Sequence, residues 1–94
     1  MSTATMTAST AVKSASGDVH WLTISNSHAT NDATVSINNS LAGSGSDKFV
    51  IILGGQDTAN GPLHCEFPRA PIHCDLGIYV TISGGTVKVN IGYD

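Results

Sequence analysis

Two His-Cys dipeptides, His64-Cys65 and His73-Cys74, are the residues of this chain best suited to chemistry. Two imidazoles and two thiols match a zinc-binding set in composition. Their setting opposes it. Leu63, Cys65 and Phe67 alternate with His64 and Glu66, which marks a strand, and neighbours on a strand point to opposite faces. His64 and Cys65 therefore cannot reach one ion within a subunit, and no metal site is expected. The expectation is two free buried thiols, because cysteine packs as a small hydrophobe. A Cys65–Cys74 disulfide is the alternative, since the intervening eight-residue loop contains Pro68 and Pro71 and can fold back.

Other chemistry is no better supplied. The carboxylates Asp18, Asp32, Asp47, Asp57, Glu66, Asp75 and Asp94 are scattered, and local spacing places no two as an acid–base pair. Gly43-Ser44-Gly45-Ser46 reads as a loop, not as a nucleophile elbow between strand and helix. Gly54-Gly55 lacks the lysine and the helix of a phosphate loop. Neither a catalytic residue nor a cofactor site is expected, so the chain does not read as an enzyme. His20 and His28 read as polar surface residues. Asn38-Asn39-Ser40 has the form of a glycosylation acceptor, but the N-terminus has no apolar signal-peptide core, so the match reads as chance.

The elements that position these residues are strands. Leu22 and Ile24 alternate with Thr23 and Ser25, and Val35 and Ile37 with Thr34, Ser36 and Asn38. Phe49-Val50-Ile51-Ile52-Leu53 is apolar throughout, the pattern of a strand covered on both faces. Gly84-Gly85 supplies the positive φ of a two-residue hairpin turn. That turn sets Ile82 opposite Val87, Val80 opposite Val89, Ile78 opposite Ile91 and Leu76 opposite Tyr93. Turn-rich segments fall at residues 26–33, 38–47, 54–62 and 68–75. Six or seven short strands at this spacing predict one all-β domain, an antiparallel β-sandwich of jelly-roll or immunoglobulin-like type. No window carries an amphipathic helical stripe.

The first residues differ. Met1 to Ser16 are almost all Ser, Thr, Ala and Met, a composition that cannot bury enough to order itself. The expected organisation is an extended arm over residues 1–17, held by a neighbour and with a short strand at Val12–Ala15, followed by a β-sandwich over residues 18–94. Trp21, the only tryptophan, shares the Val19 face of its strand, opposite Leu22 and Ile24. It is either a core plug or an interface anchor. Met6, Val12 and Trp21 are the expected interface residues.

Bulk properties narrow the partners. The 94 residues carry 4 Lys+Arg against 7 Asp+Glu, a net charge of −3, and only 12% charged residues. No basic stripe exists, so nucleic acid is not expected. No apolar run approaches the eighteen residues of a membrane span. A domain this small has a near-zero balance of burial against chain entropy. A closed homo-oligomer or docking on a larger surface is therefore expected.

The stretch from Ala70 to Asp94, with its Pro71 link, Gly77-Ile78-Tyr79-Val80, the Gly84-Gly85 turn and an alternating strand ending in Tyr93-Asp94, resembles the end of small phage virion proteins. Leu22–Asn26 followed by Ala33–Ile37 is similar to their first hairpin. The resemblance covers residues 19–94. It implies a β-sandwich on a phage particle, made in the host cytoplasm, most often a capsid cement or decoration protein that binds the major capsid protein on the outer shell. A trimer suits a three-fold axis there. The alternatives are a tail or neck subunit and a receptor- or carbohydrate-binding module of a tail fibre. The resemblance carries no catalytic motif.

Overall fold

Period-two alternation builds the strands of the computed structural model, which describes residues 1–55 and 62–94. They are β1 (Ser2–Met6), β2 (Thr10–Lys13), β3 (Gly17–Asn26), β4 (Ala33–Asn39), β5 (Ser46–Leu53), β6 (Leu63–Glu66), β7 (Ile72–Cys74), β8 (Ile78–Ser83) and β9 (Val87–Tyr93). One sheet has the order β1-β9-β3-β6, with β7 also paired to β3; the other has the order β2-β8-β4-β5. Every pairing is antiparallel. The all-β sandwich is as the alternation implies. Nine strands stand among the described residues in place of six or seven. One of them, β7, sits inside the segment 68–75 read as turn, while most of the turn expected at 54–62 lies outside the described residues.

Between the sheets lies one layer of aliphatic side chains. Leu22 and Ile24 of β3 and Val89 and Ile91 of β9 meet Val35 and Ile37 of β4 and Ile78 and Val80 of β8, all at most 2% exposed. At roughly 25 cal/mol per Å² of apolar surface, this layer is the main stabilising term.

Four local expectations are corrected. First, residues 1–17 are not a separate extended arm. β1 pairs with β9, Ser2 opposite Tyr93 through Met6 opposite Val89. β2 pairs with β8, Thr10 opposite Val80. The strand falls at Thr10–Lys13, not at Val12–Ala15. Ser, Thr and Ala bury little, but β9 and β8 would otherwise each leave a row of backbone groups without partners, and this segment satisfies them. Met6 is buried in the core and Val12 packs half-buried against it, so Met6 offers no interface contact in this chain.

Second, β8 and β9 are not a hairpin. Gly84 and Gly85 do have φ of 77° and 62°, but they carry the chain from one sheet to the other. The apolar residues expected to pair side by side instead enter one core from opposite layers. Leu76 is the exception, at 61% exposed. The glycines also permit close approach: a Cβ at 85 would lie 2.6 Å from Asn26 Oδ1, and one at 84 would lie 2.5 Å from the Asp32 carbonyl oxygen.

Third, Phe49–Leu53 is not covered on both faces. Among the described residues β5 is an edge strand, with Phe49, Ile51 and Leu53 packed on the core and Val50 and Ile52 open to solvent. Fourth, Val19 and Trp21 do not share a face. Val19 lies opposite Tyr93 and Trp21 opposite Gly92, so His20 is an extra residue and β3 bulges there. Val19 joins Leu22 and Ile24 in the core, fully buried, and Trp21 turns outward.

The integrated N-terminal strands give a direct test. Met6→Ala should cost about 2–5 kcal/mol of unfolding free energy, whereas Thr3→Ala, at an exposed site, should stay within about 0.5 kcal/mol. Urea titrations of both variants check it; equal, negligible effects would mean that the segment is not part of the folded unit.

Candidate functional site

The outer face of the five-stranded sheet carries most of the side chains with chemistry. Two rows run across β1, β9, β3 and β6: Thr3, Gly92, Trp21 and Glu66, then Thr5, Asn90, Thr23 and His64. Ser25 and Lys88 follow on β3 and β9. Trp21 is half-buried because its indole lies across β9, directly over Gly92. A Cβ at position 92 would overlap Nε1 and Cε2 of the ring, so only glycine admits this placement. A glycine inside an alternating strand is the sequence signal for such an approach. The His64 ring sits 5.8 Å from the indole, centroid to centroid.

Polar groups around the ring are already paired. Thr5 Oγ1 donates to Asn90 Oδ1 at 2.6 Å. Thr23 Oγ1 lies 2.6 Å from His64 Nδ1, and His64 Nε2 donates to Glu66 Oε1 at 2.9 Å. A neutral imidazole protonated on Nε2 satisfies both bonds. Further along the face, Thr7, Ser25, Ser27, Thr86, Val87 and Lys88 line an open depression of about 320 Å³.

At the corner where β3 meets β7 and the C-terminus, two histidines hold carboxylates. His20 Nε2 donates to Asp94 Oδ2 at 2.8 Å. His73 Nδ1 donates to Asp18 Oδ1 at 2.6 Å, and its Nε2 lies 2.8 Å from Asp75 Oδ1. Two carboxylates can both be satisfied only by the imidazolium. The hydrogen bond to Asp18 raises the His73 pKa above its ordinary value; desolvation opposes the rise, and the charges of Asp18 and Asp75 add to it. The hydrogen bond from His20 lowers the Asp94 pKa. These groups are exposed ion pairs. Among the described residues no three of His, Cys, Asp and Glu converge as a metal site.

The dipeptides are pulled apart. Cys65 lies opposite Leu22 and Cys74 opposite Gly17 on β3, and five residues of extended chain span about 17 Å, too far for a disulfide. Both thiols are free, Cys74 buried and Cys65 half-buried. Burial raises the Cys74 pKa.

Two buried asparagines had no sequence signal beyond their residue type. Asn26 Nδ2 donates to the Asn31 and Leu53 carbonyls, while its Oδ1 accepts from the His28 and Thr86 amides. Asn38 Nδ2 donates to the Gly45 carbonyl and Asp47, and its Oδ1 accepts from Ser40 Oγ and the Gly45 amide. Each clamps a loop at one end of the sandwich. Asn38, the first residue of the glycosylation-like triplet, is 3% exposed and fully engaged.

Two measurements follow. In native protein a thiol reagent should modify Cys65 first and Cys74 only at the rate of unfolding; equal rates would contradict the burial. The pH dependence follows from the two shifts. Stability from the His73 pairs is fully present below the unfolded imidazole value of about 6.5 and is lost as pH rises through the raised folded value. Stability from the Asp94 pair is present above the unfolded carboxylate value of about 3.9 and is lost as pH falls through the lowered folded value. Thermal midpoints should therefore decline slightly as pH rises above about 6.5, and His73→Ala should flatten that decline; an unaltered profile would contradict the assignment. In comparisons with known proteins, no family model, curated protein or solved structure matches the chain.

Proposed function

We propose that this chain is a structural component of a phage virion, of the capsid cement or decoration type, which docks on the outer shell through the exposed face of its five-stranded sheet. The resemblance of residues 19–94 to small virion proteins motivates the setting. The observation that carries the docking face is the indole of Trp21, immobilised on Gly92 among paired polar side chains. An aromatic anchor inside a polar rim is the arrangement of an interface hot spot. Pinning the ring beforehand lowers the entropy lost on docking. Many copies on one shell then turn modest contacts into a large total effect on its resistance to expansion.

A second reading rests on the same ring. A flat indole followed by the hydroxyl-lined depression of Thr7, Ser25, Ser27 and Thr86 also suits a saccharide, whose ring stacks on an aromatic plane and whose hydroxyls need fixed polar partners. That reading makes the chain a receptor-binding module.

Particle binding separates the two. Trp21→Ala should reduce occupancy on depleted particles at least tenfold, the effect of losing a hot spot of about 2 kcal/mol. His64→Ala, which leaves the ring on Gly92, should reduce it less. Undiminished occupancy in a folded Trp21→Ala variant would overturn the docking face. Trp21 is the only tryptophan, so its fluorescence reports directly on an oligosaccharide panel. A saturable response to a sugar, without particle binding, would favour the second reading.

A further inference from the structure

The edge of β5 away from β4 is separate from the face just described, and its apolar stretch lacks the guards usual for an edge strand. Proteins guard such edges with lysine, proline, bulges or a covering loop. Here Lys48 guards the start of β5, where the pairing with β4 shifts and the strand bulges, but the stretch Phe49–Leu53 contains neither lysine nor proline. On one side β5 pairs with β4, Thr34 opposite Ile52 and Ser36 opposite Val50. On its other side no strand is paired with it among the described residues. The outer face beside it is hydroxylic, with Thr34, Ser36 and Thr81, and Ser36 and Thr81 share a hydrogen bond. On that face Val50 is 52% exposed and Ile52 66%. These are the most exposed aliphatic side chains within any strand, and they sit two residues apart at the rim.

We infer that this edge pairs with the β5 edge of a second copy, antiparallel about a two-fold axis, and extends the four-stranded sheet across the two subunits. Self-complementarity selects the occupant. With Ile51 on the axis, Val50 of each copy faces Ile52 of the other on the outer face, and Phe49 faces Leu53 toward the core. Every opposed pair within Phe49–Leu53 is then apolar. Centring on Val50 instead would set Ile52 against Lys48 and Leu53 against Asp47. Of these two registers, only the one centred on Ile51 keeps the apolar side chains opposed to one another. Isologous pairing of one patch with itself also closes without further growth, which guards the edge against open-ended strand addition. A dimer, rather than a trimer, is the closed oligomer this edge supports.

Sedimentation and light scattering on the full chain test the inference. The wild-type protein should show a concentration-dependent monomer–dimer equilibrium. Ile52→Lys, at an exposed position, should weaken the dimer at least tenfold while its circular dichroism stays native. Register is read by cross-linking in a Cys65→Ala background. A mixture of Val50→Cys and Ile52→Cys chains should form a mixed disulfide under mild oxidation, since directly opposed residues are within reach. Either variant alone should cross-link far less, since diagonal neighbours lie about 7–8 Å apart. A monomer at all soluble concentrations, a dimer indifferent to Ile52→Lys, or preferential cross-linking of Val50→Cys to itself would each overturn the proposal. None of these readouts involves particle binding, so they stand or fall independently of the docking face.

Discussion

The bulge at His20 is the constraint on which both the core and the exposed face depend. β3 is the longest strand and holds three partners, with β9 along one side and β6 and β7 along the other. Strict alternation from Leu22 and Ile24 backward would put Val19 in solvent. One extra residue restores it to the core, where it is fully buried, and leaves His20 and Trp21 both outside. His20 then reaches the carboxylate of Asp94, tying the C-terminus to β3, with reciprocal backbone bonds between Asp18 and Asp94. Trp21 falls onto Gly92. A bulge re-aims side chains in this way at many binding surfaces, and here a single insertion settles the corner, the anchor and one end of the core.

Much of the fold was legible because burial in a sandwich is written in period two. The alternation at Leu22–Ile24, Val35–Ile37 and Leu63–Phe67 gave strands whose inward residues are those found inward. What alternation cannot express is which strands share a sheet. Gly84-Gly85 needs positive φ whether the chain turns back beside itself or crosses to the other layer. The choice belongs to distant strands: β4 and β2 take both edges of β8, and β3 and β1 take both edges of β9. No local pattern records that competition. The N-terminal residues escaped for a related reason. Their side chains bury little, and the backbone hydrogen bonds that hold them leave almost no trace in composition.

The site was half legible. Trp21 stood out by its type, and its partnership with Gly92 was readable as a glycine inside a strand. The His-Cys repeat looked like chemistry and is a coincidence of two strands that meet β3 at different heights, His64 beside Trp21 and His73 at the Asp18 corner. Asn26 and Asn38 carry the loops through hydrogen bonds to groups far along the chain, a role that a polar residue at a strand end does not advertise. The apolar run in β5 has the pattern of a strand covered on both faces, yet Val50 and Ile52 are open to solvent. Both lie at the rim, where the chain has an edge to offer.

We propose that this sandwich docks on a shell through the face that bears Trp21. A cryo-electron microscopy reconstruction of the particle that carries the chain tests it most directly. Docking through that face would place copies regularly on the outer capsid surface, with the five-stranded sheet turned toward the capsid subunits and the indole at the contact. Density confined to the tail, or copies on the shell with that sheet facing solvent, would contradict it.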